Sequence, residues 1–444
     1  MSAHDTAEVM TRDELVAGIQ APSARWLKLL CAVMAIVGAI TFIYGAIVGA
    51  DRAWQSLYFN WLFFASVSTA GVTLAAVQRI TTARWSRPVV RFIEGYVAFV
   101  PVAFVLLLLI LFFGRNHIFP WTHMPLPVPE KVTYLNLPFF ITREIGIFLL
   151  LTILCVWYIY TSVRLDVGVT PEHGASWARG IRERMRRNFG EERREIHSTH
   201  SLQGKLAVYL VFAFGLGWIV MSWDLSMSLD LHFQSTLYGY WFFMGAWVAA
   251  IAAWTLITMA WRRNLDRYDM ITESHFHDLG KLCFAFTAFW GYLTFGQYLV
   301  IWYGNLGEET HWARLRLIAP WTPVTLTVVA LMFVLPFFGL LSRAAKVYMP
   351  TMAFFAACLV VGLWLHRYDE IYPSIYGFRE GINLPLGIWE FFITAGMLGT
   401  WGLCYLAFMD AFPRMRIVMM TSPYRDEVQV PVNARTMEPL PAHE

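Results

Sequence analysis

Residues Trp54–Val77 read WQSLYFNWLFFASVSTAGVTLAAV, 24 residues with no Asp, Glu, Lys or Arg. As a helix this segment is ~36 Å long at ~1.5 Å per residue, and it outspans a hydrocarbon core of ~30 Å. Nine more long apolar runs share the pattern, at about Trp26–Ala50, Val89–Phe113, Pro138–Thr161, Lys205–Ser222, Ser235–Trp261, Leu279–Gly304, Pro320–Leu341, Tyr348–His366 and Leu384–Met409. The sequence therefore predicts an all-α integral membrane protein with about ten transmembrane helices.

Composition points the same way. Of 444 residues, 57% are hydrophobic and 15% charged, against about 25% charged in an ordinary soluble chain. Mean hydropathy is +0.50. Disorder, nucleic-acid binding and a secreted disulfide fold are excluded as leading readings. The five cysteines, Cys31, Cys155, Cys283, Cys358 and Cys404, all lie in apolar runs and form no C-x-x-C pair. They read as buried thiols, with no set that could hold an iron–sulfur cluster or attach a c-type haem. Residues 1–25 are polar and mixed in charge, without the apolar core of a cleavable signal peptide.

Orientation follows from the cations. The N-terminus, every second loop and the tail together hold 26 Lys and Arg, and the alternate loops hold 8. The positive-inside rule then places both termini in the cytoplasm. The predicted organisation is a cytoplasmic segment (1–25), a polytopic membrane domain (26–413) and a cytoplasmic tail (414–444). The longest connection, Ser162–Gly204, carries RGIRERMRRNFGEERREIH and reads as an amphipathic helix on anionic headgroups, or else as a partner dock. On the outer side, PWTHMPLPVP (120–129) suggests an extended cap. The tail from Ser422 reads as irregular.

Polar groups inside apolar spans are the candidate functional residues, because each costs a few kcal/mol unless paired or wet. Arg143, Glu144, Gln297, Glu390 and Asn60 fall at one depth, ~7–10 Å from the outer end at ~1.5 Å per residue. Tyr240 and Tyr298 lie near that level. The outer loop Trp223–Thr236 adds Asp224 and His232, which suit proton acceptance. Arg143, Glu144, Asp224, His232, Gln297, Tyr298 and Glu390 are thus expected to line one outer polar cavity. Arg143 is taken as its only cation, and Phe295 and Trp302 as aromatic walls for a quinol ring. An inner layer holds Glu94, Lys205, Asp278, Lys281 and Asp410. Glu94, His277, Asp278 and Lys281 are expected to form the cytoplasmic mouth of a proton path, so that Glu94→Gln slows turnover without harming assembly. The alternatives are paired charges tying helices together and, for Asp278 and Lys281, a surface pair. No histidine falls in the middle of a predicted span, which argues against a transmembrane haem. Metal-site, Walker and EF-hand patterns are absent from the sequence.

Four stretches carry a family resemblance: WSRPVVRFIE (85–94), KVTYLNLPFFITRE (131–144), SWDLSMSLDLHFQSTLYGYWFFMGA (222–246) and HDLGKLCFAFTAFWGYLTFGQYLVIWYGNLGEET (277–310). They resemble the second large membrane subunit (quinone-binding subunit 2, ActF-like) of bacterial alternative complex III, within the NrfD-like polysulfide-reductase membrane-subunit superfamily. The likeness covers about Trp26 to Pro413. It departs at NLGEET, where Gly307 stands in place of an expected Pro. The resemblance implies two four-helix bundles, 54–222 and 235–366, flanked by spans 26–50 and 384–409. It implies a subunit of a quinol:cytochrome c or oxidase-linked oxidoreductase in the bacterial inner membrane, using menaquinol or ubiquinol. Its partners would be a homologous membrane subunit, an iron–sulfur subunit, and multihaem and monohaem cytochrome c subunits. Haem c and iron–sulfur clusters would sit in those partners, and this chain would bind none alone, a quinone excepted. Two rivals remain at this stage. One is a scaffold that docks electron-transfer subunits. The other is a secondary transporter, against which Pro101 and Pro336 occupy poorly matched depths.

Overall fold

The computed structural model describes residues 12–19, 25–122, 129–377 and 383–428. These residues are almost wholly helical, and among them no strand occurs. Ten helices are long and apolar enough to cross a membrane. They are spans one (Arg25–Ile47), two (Asp51–Ile80), three (Val90–Ile118), four (Leu137–Val169), five (Glu192–Leu229), six (Tyr238–Leu265), seven (Glu273–Gly304), eight (Thr322–Gly339), nine (Met349–Tyr376) and ten (Ile388–Ala411). The protein is a multi-pass membrane protein.

Span two is the centre of the molecule. It touches spans three, four, five, six and nine, and also the flanking pair of spans one and ten. Its sequence explains this position. Apolar and small polar residues surround the helix on every side, which suits burial rather than a lipid face. Several of its polar side chains are satisfied within the helix: Ser66 donates to Leu62 O (2.5 Å), Thr69 to Ala65 O (2.8 Å), Thr73 to Thr69 O (2.8 Å) and Asn60 to Ser56 O (2.8 Å). Asn60, expected in the outer polar layer, also accepts from Trp364 Nε1 (3.0 Å), so it ties span nine to span two. Spans two to five pack together on one side of this axis, and spans six to nine on the other.

Spans one and ten pair through glycines. A Cβ added at Gly396 would lie 2.6 Å from the Gly38 Cα, and one at Gly399 would lie 2.4 Å from Cys31 O. Small residues at such a crossing let two backbones touch, and close packing replaces the hydrophobic drive that lipid removes. Gly396→Val should therefore force the helices apart and lower the thermal unfolding temperature of the purified protein, at a cost of about 1–3 kcal/mol. An unchanged melting temperature would contradict this packing.

Prolines break two spans as expected, each with a distinct local geometry. Span three starts as a short α-helix, passes through a 3₁₀ stretch over Gly95–Phe99 just before Pro101, and widens to a π turn over Ile110–Gly114. Span eight has a π turn over Ala330–Val334 immediately before Pro336. Loss of the proline N–H and the clash of its ring with the preceding turn account for the disturbed ladders beside each proline. At the NLGEET turn, Asn305 adopts the left-handed region (φ 46°) and the short helix Gly307–Arg316 begins at once.

Spans four and five extend into the long connection, leaving 170–191 with a 3₁₀ turn, Ser176–Ala178, and the short helix Arg179–Arg186. Arg182 and Arg186 turn inward, while Arg179, Arg184 and Arg187 stay exposed, as on the outer face of an amphipathic helix. Arg182 is buried, donating to Glu172 (2.7 Å), Ala175 O (3.0 Å) and Ala411 O (2.8 Å). Arg186 reaches Val167 O (2.9 Å) and Glu172. Partial burial pushes the Glu172 carboxyl up, but these two guanidiniums outweigh it and hold it below the usual carboxylate range. Arg164 grips Glu195 (2.7 Å), joining the two helix extensions. Through Arg182, Arg186 and Arg164 the connection is clamped onto the bundle end.

The first and last described segments meet at this cation-rich end. Arg12 donates to Glu192 (2.7 Å) and lies 3.4 Å from Thr421 Oγ1. The tail re-enters the protein after Pro413, with Met415, Ile417 and Val418 fully buried. Residues 423–427 then form a 3₁₀ turn. The irregular remainder expected of the tail (429–444), much of the N-terminal segment, and the core of the PWTHMPLPVP cap (123–128) lie outside the described residues.

Candidate functional site

A cavity of about 370 Å³ lies among spans six, seven, eight and nine and the short helix Gly307–Arg316. Trp241, Trp290, Phe295, Trp312 and Phe333 give it aromatic walls. Phe295 and Tyr298 are well exposed on the apolar flank, so the cavity reaches the lipid-facing surface. Its polar floor is His366, Asp369 and Arg316.

The floor is built by span nine. His366 is 2% exposed, held edge-on between Trp241 (ring centroids 4.4 Å apart) and Trp290 (5.5 Å). Neither ring nitrogen makes a hydrogen bond to a described residue, although Nδ1 lies 3.3 Å from Glu370 Oε1. Asp369 accepts from Thr325 Oγ1 (2.9 Å). Arg316 is fixed by Trp312 O (3.0 Å), Glu370 O (3.0 Å) and Ser374 Oγ (3.1 Å), with its guanidinium over the Trp312 ring (3.8 Å). Behind the floor, Arg367 donates to both Glu370 oxygens at 2.7 Å and to Phe242 O at 2.9 Å. Trp290 Nε1 and Gln297 Nε2, also on the lining, have no hydrogen-bond partner among the described residues. The cavity thus offers an apolar, ring-shaped space whose polar valences sit on a few fixed groups, the common form of a small-molecule site.

The expected single outer cavity is not what the structure builds. Its members divide into three groups. Gln297, Tyr298 and Phe295 line the cavity just described; Trp302 does not, and is exposed beside Tyr303. Gln297 Oε1 accepts from Ser235 (2.9 Å) and also borders a second cavity with Trp223, Gln234 and Glu309. Arg143, Glu144 and Asp224 form a second group between spans four and five, with Arg143 Nε 2.6 Å from Asp224 Oδ2. Glu390 belongs to a third. Its partner is Arg52, not Arg143: Nη2 to Oε2 is 2.7 Å and Nε to Oε1 is 3.1 Å. Tyr372 Oη (3.0 Å) and Gly387 N (2.9 Å) complete its shell. Arg143 is therefore not the only cation at this level. Arg52 lies one residue into span two and reads from the sequence as a loop residue. His232 is exposed and joins none of the groups; its backbone N–H donates to Asp230 (3.3 Å). Tyr240 is exposed as well.

The expected inner mouth is likewise divided. Glu94 is fully buried; its Oε1 accepts from Arg416 and Ser162 Oγ (2.9 Å), and its Oε2 lies 2.6 Å from Arg91 Nη1 as an ion pair. Arg91 in turn pairs with Asp166, whose other oxygen accepts from Val418 N (2.9 Å). Asp278 and Lys281 form their own half-exposed pair on span seven (2.7 Å), with His277 beside them, and no contact joins them to Glu94. That pair is the surface alternative. Lys205 is exposed, and Asp410 is bound by Lys28 and Arg414. Among the described residues no group of three His, Cys, Asp or Glu is arranged to hold a metal ion.

The residues the sequence reading missed are His366, Arg367, Asp369, Glu370 and Arg316. Span nine reads as ending at His366 because four ionisable groups in five residues break its hydropathy. The helix instead runs to Tyr376, placing His366 ~15 Å inside the span at ~1.5 Å per residue. A signal was present: IYPSIY (371–376) resumes the apolar run, and positions 366, 369 and 370 share one helix face. The comparisons add no relative, since no protein-family model matches the chain and no curated protein is similar to it.

Proposed function

We propose that this cavity receives the headgroup of an isoprenoid quinol, menaquinol or ubiquinol. The chain would then serve as a membrane subunit of a quinol-oxidising respiratory complex of the alternative complex III kind, in a bacterial inner membrane. Its partners would be a homologous membrane subunit, an iron–sulfur subunit and cytochrome c subunits, which carry the redox centres. The observation that carries this reading is His366, a buried imidazole with unused nitrogens on the wall of an aromatic cavity that reaches lipid.

A quinol ring suits the space because its flat faces can lie on Trp and Phe while its isoprenoid tail stays in the bilayer. One of its two hydroxyls would donate to a His366 nitrogen, and the imidazole would take that proton as general base as one electron leaves for a partner's centre. Asp369, fixed by Thr325, and Glu370, 3.3 Å from Nδ1, would supply the negative charge that balances the protonated ring. Gln297, with Nε2 unused, would donate to the second oxygen. The buried ion pairs at Glu94 and Glu390 favour a second role beside this one, that of a rigid scaffold for docking subunits.

The test is His366→Leu in the assembled complex, with binding of a quinol-analogue inhibitor measured. Loss of one hydrogen bond of about 1.4 kcal/mol should weaken binding about tenfold. Unchanged affinity in a fully assembled variant would leave only the scaffold.

A further inference from the structure

We propose that a second site, at the cation-rich end, holds the phosphodiester headgroup of an anionic phospholipid of the phosphatidylglycerol type, one that carries a headgroup hydroxyl. The site is a cavity of about 310 Å³ lined by Lys28, His173, Met409, Asp410, Phe412 and Arg414. It lies where the first turn of span one, the end of span ten and the loop after span four meet, and it is independent of what the aromatic cavity binds. Its walls are fixed. Ala175 N donates to Asp410 O (2.8 Å) and Arg182 Nη1 to Ala411 O (2.8 Å), so the loop is tied to the end of span ten. Gly174 permits this approach: its φ is 93°, and a Cβ there would lie 2.9 Å from Asp410 O.

The donor set suits an anion. Arg414 is 5% exposed; its Nε is spent on Met409 O (3.2 Å) and its Nη2 on Asp410 Oδ1 (3.2 Å), but Nη1 has no partner among the described residues. A buried guanidinium N–H left without an acceptor carries a desolvation penalty that a ligand oxygen removes. Lys28 pairs with the other Asp410 oxygen and has three N–H donors to give. Two cations thus face one carboxylate, and the lining keeps a net positive charge. Behind Gly174, Arg182 and Arg186 likewise outnumber Glu172. A phosphodiester brings the one negative charge that neutralises the lining, and its oxygens can accept from Nη1 and Nζ. His173 Nδ1 lies 2.8 Å from Pro171 O; a carbonyl only accepts, so this nitrogen holds the ring hydrogen. Nε2, buried and without a partner among the described residues, is then an acceptor for a headgroup hydroxyl. An ammonium headgroup would add to the positive charge instead of relieving it. The bilayer is the source, because Trp26, Leu29, Leu30 and Val33 on span one are exposed around Lys28 and give acyl chains an apolar track.

Native mass spectrometry of the delipidated full chain, titrated in detergent with phosphatidylglycerol or phosphatidylcholine, tests the site. The unaltered protein should hold its first phosphatidylglycerol about tenfold more tightly than phosphatidylcholine. Arg414→Gln should abolish that preference, and Lys28→Gln, at a partly exposed position, should reduce it about fivefold. Arg184→Gln removes an exposed cation of the same end and should leave the preference intact. Equal affinity for the two lipids in the unaltered protein overturns the proposal. So does a preference undiminished in Lys28→Gln, a variant that decides the matter even if Arg414→Gln fails to fold. A preference lost equally in Arg184→Gln would assign it to diffuse surface charge and also overturn the site. In excess inorganic phosphate the lipid should stay bound; its displacement would assign the cavity to a soluble phosphate and overturn the lipid source.

Discussion

Glu94→Gln should destabilise the protein by about 3–5 kcal/mol, the cost of removing one partner from a buried ion pair. The reason is charge balance at the cation-rich end. Glu94 and Asp166 offset Arg91 and Arg416, and Arg91 and Glu94 are fully buried. Removing one carboxylate leaves two guanidiniums against Asp166 alone. Ser162 Oγ, a donor here, also loses its charged acceptor, and Arg416 loses the pair that seats the tail residues Met415, Ile417 and Val418. Detergent-solubilised protein should unfold at a clearly lower temperature, with the C-terminal segment cut earlier by protease. The double variant Glu94→Gln, Arg416→Met restores neutrality and should recover part of the loss. Normal stability in the single variant, with slowed turnover, would restore Glu94 to a proton path and set aside its structural role.

How much of this was legible depends on how locally each feature is encoded. Ten spans were readable because a helix in lipid must satisfy its own backbone, so each span is written in one continuous run. Arg12, Arg182 and Arg416 show the opposite case. Their partners stand 180, 10 and 322 residues away. Glu390 is the clearest instance: the sequence required a partner across the bundle, and only the packing of spans two and ten identified it as Arg52. The cavity was half readable. Gln297, Tyr298 and Phe295 lie in one apolar span and stood out there. His366, Asp369 and Arg316 did not, since a run of charges looks like a loop whenever its partners are unseen.

Arg367→Met should cost about as much as any single substitution in the protein, about 3–5 kcal/mol, because it strands Glu370 inside a helix bundle. Both side chains are essentially unexposed. They meet bidentately at 2.7 Å, with the guanidinium against Phe242 O (2.9 Å) and over the Phe242 ring (3.4 Å). Glu370→Gln should be comparably harmful, since it leaves Arg367 facing backbone and a ring. The double variant Arg367→Met, Glu370→Met tests what the pair is for. Well-packed apolar replacements of a buried pair are often neutral or stabilising, so the double variant should be more stable than either single one, and the coupling should appear in a double-mutant cycle. If stability were the pair's only purpose, the cavity would be unaffected. Glu370, however, lies 3.3 Å from His366 Nδ1 and its backbone carbonyl anchors Arg316. The stable double variant should therefore lose inhibitor affinity at the cavity while keeping its fold. Full affinity in that variant would separate the ion pair from the cavity and make it a structural tie alone.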